Sequence, residues 1–472
     1  MKTYQDWLEV AEKSDREKIE FMKTAINDYK SSDTYKKAII AKEYAEKRNL
    51  TIIQYEKLLF TLTGQAVPDA ISANYKLRSG HFNRFISQEN QYLLSNGVSW
   101  NNEDTSKKLG TKKADFDTRL QKAGRYALIG ACSFGFWNFD HLDVFAVWEF
   151  VPLYDEEDGA LKAGIRFWQI ADNKPLRATM YEISGYQNAM WNKKTGDTND
   201  YEGKFIDEKQ SYIVKVRESE ADGEEIYDYQ NYPTFPIVPL WGNFDHQTEL
   251  EGRREQIDAY DLIKSGFCNN VDDASIIYWL IENAGGMQDT DIVKFIDRIK
   301  TVHGFVMDDE GATATPHTID MPFEGREKLL ELLDRDLIKD FMAFDAERIA
   351  SGAVTATQIE AAYELLDEKV NDYEACIIDF INEILVLAGI DDKPTFNRSR
   401  VVNATEMINT IVSSGSYLSS EYVTEKILSI LGDKDKLDTV LTQMDEGELK
   451  RFEVSVNRNN PISTSTALLN NE

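Results

Sequence analysis

Cysteine is scarce in this 472-residue chain. Cys132, Cys268 and Cys376 lie far apart, without metal-ligand spacing and without a disulfide framework, which fits a reducing compartment. Basic excess is missing as well: 53 Lys+Arg stand against 82 Asp+Glu, a formal charge of −29. A protein that grips nucleic acid carries a basic stripe that displaces counterions, and no long basic cluster occurs here. Tight static wrapping of nucleic acid is thereby excluded. A passage through which nucleic acid slides without sticking is not, because like charges repel. Long apolar runs are absent too. The greasiest stretch, "IIDFINEILVLAGI", is interrupted by Asp379, Asn382 and Glu383, so no membrane span is expected. The opening "MKTYQDWLEVAEKSDREKIE" has no apolar h-region, so no signal peptide is expected. Motifs of chemistry are missing in the same way. There is no G-x-x-x-x-G-K-[ST] loop to cradle phosphates, no G-x-G-x-x-G after a strand, no H-E-x-x-H and no G-x-S-x-G. The five histidines, His81, His141, His246, His303 and His317, are scattered singly. A lone histidine is more often a surface or hydrogen-bonded core residue than a ligand or base.

What is present is a foldable chain: 42% hydrophobic and 11% aromatic residues, enough for two to four domains. "SDREKIEFMKTAINDYK" and "SDTYKKAIIAKEYAEKRN" each open with Ser-Asp, a helix-start signal. Residues 83–97 predict a further helix stopping at Asn96-Gly97, and 114–130 another. From about 140 to 232 the period changes to two. Short β-branched and aromatic runs such as "GIRFWQIAD" and "SYIVKVRE", separated by turns at Glu157-Asp158-Gly159 and Ala221-Asp222-Gly223, predict an antiparallel meander. Trp137, Trp148, Phe167 and Trp168 could form a stacking platform for single strands. With so few basic residues among them, sheet core is the better reading. After Pro239 helical spacing returns from Glu249 and could run to about Ala284, ahead of Gly285-Gly286. A short helix, a hairpin within "HGFVMDDEGATATPHTIDM" and a helix over "REKLLELLDRDLIKDFMAFDAERI" follow.

The clearest pattern comes next. Ile359, Tyr363, Leu366, Val370, Tyr373, Ile377, Phe380, Ile384 and Leu387 alternate steps of four and three. Capping boxes at Thr355 or Thr357 and Gly389 bound a helix roughly 45 Å long. So long an apolar seam packs either on another long helix or in the core of its own chain, and the pattern favours neither. Residues 400–455 read as a small helical domain, with Asn403, Gly415, Ser419 and Gly432 as its punctuation and a polar tail after it.

The stretch "FPIVPLWGNFDHQTELEGRREQIDAYD" concentrates carboxylates: Asp245, Glu249, Glu251, Glu255, Asp258 and Asp261. They could supply a glycosidase pair or a metal site. Arg253 and Arg254 interleave, however, and the acids fall all around a helix instead of on one point, so a solvated or channel-lining face fits better. "DDEGATATPHTID" matches a calcium loop in composition only, not in ligand order.

Several stretches resemble the portal proteins of tailed bacteriophages, the head-to-tail connectors, especially those of long-tailed phages of Gram-positive hosts. They are "NDYKSSDTYKKAIIAKEYAEKRNLTI", "NYKLRSGHFNRFISQENQYLLSNGVSW", "FPIVPLWGN" followed by "REQIDAYDLIKSGFCNNVDD", and "ASGAVTATQIEAAYELLDEKV". The order of parts is similar as well. The aromatic-rich 130–170 region departs from the pattern.

The resemblance implies an α+β, mainly helical fold: N-terminal helices and an antiparallel β-rich α/β wing (1–248), stem helix 1 (249–270), a small α/β clip (271–323), stem helix 2 (324–343), a tunnel loop (344–356), a long wing helix and linker (357–399), and a helical crown with a polar tail (400–472). It implies no enzyme and no cofactor. The chain would form a homo-oligomeric ring, usually a dodecamer, at one vertex of the virion capsid after synthesis in the host bacterial cytoplasm. Double-stranded DNA would enter and leave through that ring. The terminase large subunit, neck and adaptor proteins, scaffolding protein and major capsid protein would be its partners. By position, Leu250, Ile257 and Tyr260 would pack the stem, with Ile257 and Tyr260 on neighbouring subunits, and Glu255, Asp258 and Asp261 would face the channel. Ala350, Ser351, Gly352, Ala353 and Val354 would belong to the tunnel loop. The seams at 250–263 and 359–387 could supply the two sticky sides a ring needs. An acid-pair hydrolase and another oligomeric phage adaptor are the competing readings.

Overall fold

Short polar side chains start the N-terminal helices as the spacing predicts. Thr3 caps α1 (Tyr4–Ala11), a Ser14–Glu17 capping box opens α2 (Asp15–Ser31), and Ser32 accepts from the Tyr35 amide to open α3 (Asp33–Ala45). A short α4 (Leu50–Gln54) and the strands β1 (Leu58–Phe60) and β2 (Ala66–Pro68) follow. Then come α5 (His81–Leu94), ended at Gly97 with φ +72°, β3 (Val98–Trp100), α6 (Glu103–Leu109) and α7 (Phe116–Gly130). The computed structural model describes residues 1–60, 64–69, 72–110, 115–193, 201–218, 225–274, 278–282, 313–317, 323–345 and 356–400, and in the C-terminal part 408, 411–413, 419–431, 436–437 and 439–444. It divides into two units, residues 1–344 with 365–399 and residues 345–364 with 400–472.

The first unit mixes helices with antiparallel sheets. β4 (Cys132–Asn138) and β5 (His141–Ala146) form a hairpin, and a 3₁₀ turn at Val147–Glu149 leads to β6 (Phe150–Tyr154). β7 (Leu161–Trp168), β8 (Leu176–Glu182), β9 (Gly185–Lys193) and β10 (Tyr201–Phe205) continue a five-stranded meander in the order β10-β9-β8-β7-β6. β11 (Ile213–Glu218) and β12 (Glu225–Gln230) pair as a separate ribbon, and β13 (Ile237–Trp241) returns to the outer edge of β4. Pro239 is tolerated there because an edge strand has one hydrogen-bonding side to spare. Trp137, Trp148 and Phe167 are buried, as the core reading of the aromatic region expects, and Trp168 is half-buried.

After β13 the chain enters α8 (Arg254–Ala274), β14 (Tyr278–Glu282), β15 (Thr313–His317), α9 (Phe323–Asp340), α10 (Ala356–Ala388) and β16 (Pro394–Phe396), which pairs with β3. Two expectations are corrected here. The helix begins at Arg254 rather than Glu249 and ends at Ala274 rather than about Ala284, because Tyr278–Glu282 pairs antiparallel with Thr313–His317. The hairpin expected within 303–321 therefore has a different partner strand for its second half, and residues 303–312 lie outside the described residues. A run as short and apolar as "IIYWLI" fits a helix or a strand, and pairing decides.

The long helix α10 spans 33 residues, close to the predicted 357–389. Its seam residues Leu366, Val370, Tyr373, Ile377, Phe380 and Ile384 are buried within the first unit. Tyr373 donates its hydroxyl hydrogen to Asn90 Oδ1 at 2.7 Å. A Cβ at Gly124 would stand 1.9 Å from the Tyr373 hydroxyl, and one at Gly135 2.4 Å from the Phe380 ring. Glycine at these two positions lets α7 and β4 approach α10. The seam is thus a core seam of this chain, and the expectation that it offers a sticky side to a neighbour is corrected. In the second unit Tyr363 is buried with the Arg400 guanidinium 5.9 Å from its ring, Ile359 is half-buried, and Ser419 caps α11 (Ser420–Leu431) through the Tyr422 amide.

Candidate functional site

The acid-rich stretch becomes the anchor of α8. Ile257, Asp261, Ser265 and Asn269 recur every four residues and are all buried, so one stripe of the helix faces inward. Against its polar part lies the extended segment 74–79. Tyr75 N donates to Asn269 Oδ1 at 2.6 Å, Leu77 N to Ser265 Oγ at 2.9 Å, and Ser79 N to Asp261 Oδ1 at 2.8 Å. The match has a simple cause: four helical residues rise about 6.0 Å and two extended residues advance about 6.6 Å. Every second amide of the segment therefore meets every fourth side chain of the helix. Asp261 Oδ2 also accepts from Asn49 Nδ2, whose second contact is the Ser79 carbonyl at 3.2 Å. Burial pushes the Asp261 carboxyl above its ordinary range, opposed by the hydrogen bonds from Asn49 and Ser79.

Asp258, on the turn before Asp261, accepts from the Tyr44 hydroxyl and from Thr51 Oγ1 at 2.7 Å, with Arg254 Nε 3.5 Å away. Burial, and then the bond to Asp258, raises the Tyr44 phenol above its usual range. The expectation that Asp258 and Asp261 face an open lumen is corrected: both carboxylates are turned into their own chain, and Asp261 has no exposed surface at all. Glu255 is exposed. Leu250 and Ile257 are buried by their own chain, so Ile257 is not free to pack on a neighbour. Tyr260 is half-buried edge-on to His81, ring centroids 4.6 Å apart. Ala350, Ser351, Gly352, Ala353 and Val354 lie outside the described residues.

α8 and α9 run antiparallel. Arg253 and Gln256, at the start of α8, reach Asp340 at the end of α9, while Phe267 meets Phe323 edge-on at 5.6 Å near the opposite ends. Of the aliphatic residues of α9, Leu337 alone is fully buried, and Leu329 and Leu332 are exposed by 42% and 47%. Among the described residues α9 thus leaves Leu329 and Leu332 uncovered.

A buried ion cluster ties the root of this pair to α5 and α10. Lys369 Nζ lies 2.6 Å from Glu89 Oε2 and 2.7 Å from Glu249 Oε2, and Arg253 reaches Glu249 at 3.2 Å. Burial pushes Glu89 up to about 7 despite the pull of Lys369. For Glu249 burial acts the same way, but Lys369 and Arg253 outweigh it and hold the carboxyl below its ordinary value. The buried Lys369 ammonium and the half-buried Arg253 guanidinium thus face two buried carboxylates, and the one that only Lys369 touches, Glu89, is the one burial raises.

Two clefts of opposite character flank the pair. One, of about 680 Å³, opens beside the ion cluster and carries Asp245, Glu251, Asp340, Glu368 and Asp372 on its walls. The other, of about 830 Å³, is lined by Lys47, Arg78, Arg84 and Lys264, with Glu327, Glu331 and Asp334 on the α9 side. His81 lines the second cleft, and burial, reinforced by Arg84 and Lys264, lowers its imidazole to about 4 against the pull of Asp334. Among the described residues no three His, Cys, Asp or Glu side chains are grouped to hold a metal ion. Among them, too, no helix is long and apolar enough to cross a membrane. Sequence reasoning missed Asn49, Ser79, Ser265, Asn269, Glu89 and Lys369. The four-residue polar step in α8 was the only available signal.

A family model described as "Phage portal protein, SPP1 Gp6-like" matches residues 44–448. A portal protein of Clostridium phage phiCD119 is 25% identical over 193 residues, covering 39% of this chain and 43% of the relative. A portal protein of Bacillus phage SPP1 is 25% identical over 229 residues, covering 45% of this chain and 44% of the relative. The chain therefore spans less than half the length of these curated relatives. Among solved structures, a chain from the neck of a native gene transfer agent particle, computed with C12 symmetry, aligns at 12% identity and a TM-score of 0.43, covering 74% of this chain and 89% of that one. A chain from the virion of a native gene transfer agent particle aligns at 14% identity and 0.42, covering 74% and 89%.

Proposed function

Because this chain belongs to the SPP1 Gp6-like family of phage portal proteins, we propose that it forms the ring at one capsid vertex through which double-stranded DNA is packaged and ejected. The observation that carries this reading is the family match over residues 44–448. The molecule's physics supports it. A charge of −29 per subunit, repeated round a ring, gives a passage that does not hold a polyanion. The helices α8 and α9 pair antiparallel, and α9 leaves Leu329 and Leu332 exposed, which suits a stem that packs against neighbours. The force for packaging then comes from a partner ATPase, the terminase large subunit, docking with neck proteins at the clip, residues 271–323. Residues 344–356 form the tunnel loop and 400–472 the crown facing the capsid interior. Scaffolding and major capsid proteins surround the ring, usually a dodecamer. The protein is a virion structural component and not an enzyme.

The test is genetic and physical. A phage lacking this chain, complemented with the wild-type chain or an empty vector, is assayed for capsids filled with DNA. Filled heads only with the wild-type chain are expected. Heads that fill normally without it refute the reading.

A further inference from the structure

The ribbon of β11 and β12 carries apolar side chains that its own unit leaves open to solvent. Its register sets Val214 opposite Tyr229 and Val216 opposite Tyr227. Directly opposed residues share a face, and the face alternates along each strand, so these four lie side by side. They are exposed by 46%, 65%, 55% and 50% in that order. Lys215 and Asp228 oppose each other on the reverse face and are exposed as well. One side of the ribbon is thus apolar and the other is charged.

The foot of the ribbon is firmly placed. Tyr212 donates its hydroxyl hydrogen to the Glu182 carbonyl at 2.6 Å, and its amide donates to Asn231 Oδ1 at 3.1 Å. Asn231 Nδ2 in turn donates to the Ser184 carbonyl at 3.0 Å, and the Tyr212 ring lies 5.7 Å from the rings of Tyr186 and Tyr232. Both strands are tied at this end to the turn between β8 and β9. A two-stranded ribbon is marginal by itself, and apolar surface on it stabilises fully only when it is covered.

The far end fixes the chemistry of the cover. β11 ends at Glu218 and β12 begins at Glu225, paired in register, and the stretch "ESEADGEE" over 218–225 holds five carboxylates and no cation. By the two-residue alternation Glu218 and Glu225 belong to the same face as the apolar four. Like charges directly opposite destabilise a pair until a cation approaches. A fitting cover brings apolar side chains to the middle of the face and Lys or Arg to its end. A second copy of the same face fails this requirement, because its acids would meet these.

We propose that the face bearing Val214, Val216, Tyr227 and Tyr229 docks a partner protein of the particle, through a segment that combines aliphatic or aromatic side chains with Lys or Arg set against residues 218–225. The inference takes from the portal reading only that the chain works among other proteins.

The test places photoreactive p-benzoylphenylalanine at Tyr229, and at Asp228 on the reverse face as the control, in the full chain complementing a phage that lacks it. Both positions are exposed, so both chains should fill heads like the wild type. After irradiation of infected cells, the crosslinked peptides are identified by mass spectrometry. Position 229 should give at least about fivefold more adduct than 228, because a covered patch holds its neighbour and an open one does not. The adduct should join a protein other than this chain, at a peptide with apolar residues beside Lys or Arg. Glu220→Lys with Glu224→Lys should cut its yield by at least about threefold, since like charges then face across the contact. Adducts chiefly to a second copy, adducts at 229 no stronger than at 228, a partner peptide without Lys or Arg, or a yield indifferent to the two reversals each overturn the proposal. If the chain altered at 229 fails to fill heads, the same readout at Val216 decides. The portal reading fails separately, when heads fill without this chain, whatever the adducts show.

Discussion

Replacing Asp261 with alanine removes the acceptor of two buried donors, Asn49 Nδ2 and the Ser79 amide, at the end of the ladder between α8 and the 74–79 segment. A hydrogen bond to a charged group contributes about 1.5–3 kcal/mol, so the local loss should be about 3 kcal/mol at the low end. At about 1.4 kcal/mol per factor of ten, opening of the segment should become roughly a hundred times more frequent. Hydrogen exchange followed by mass spectrometry reads this directly, because the Tyr75, Leu77 and Ser79 amides are the donors of the ladder. The gain in exchange should be largest at Ser79, smaller at Leu77 and Tyr75, which keep Ser265 and Asn269, and negligible in the five-stranded meander. Exchange across 74–80 that stays within about twofold of wild type would refute the anchoring role of Asp261. A uniform rise over the whole molecule would do so too, since it would mean general destabilisation.

Ile257→Asp puts a charge where the chain leaves 1% exposure, so it should collapse soluble yield or lower the unfolding midpoint sharply, not merely block assembly. Leu332→Asp, on the open side of α9, should leave the unfolding midpoint within the range of ordinary surface changes yet reduce ring content in negative-stain images. The folded Glu89 carboxyl titrates near 7, above its unfolded value, so its stabilising effect is complete at low pH and lost as pH rises through about 7. His81, lowered to about 4, acts oppositely and removes stability as pH falls from about 6.5 towards 4. Thermal midpoints measured from pH 6.5 to 8 should therefore fall in the wild type, and Glu89→Gln should flatten that slope. An unchanged slope would count against the buried cluster as its source.

Much of the local structure was legible because its causes are local. Ser14 and Ser32 cap the helices they precede, and Gly97 ends α5 with a positive φ. The seam of α10 was legible as a period, but a period says that a face is buried and not what buries it. Tyr373 and Phe380 find Asn90 and Gly135 in the same chain, so the seam serves the core. The carboxylates of α8 were visible as a polar stripe, and their partners were not. Ser79, Leu77 and Tyr75 lie 182, 188 and 194 residues from the side chains that hold them. Lys369 is likewise far in sequence from both Glu89 and Glu249, so nothing in its own neighbourhood marks it as buried. The strand Tyr278–Glu282 was misread for the opposite reason: its apolar run suits a helix locally, and only Thr313–His317 makes it a strand.

A reconstruction of the assembled particle by electron cryo-microscopy tests the account most directly. It should show a closed ring with an axial hole wide enough for duplex DNA, α8 and α9 beside the bore, and Asp261 still folded against Asn49 and Ser79 inside each subunit. A particle without a through-hole, or one whose bore is lined by Asp261 and grips DNA through cationic side chains, would contradict it.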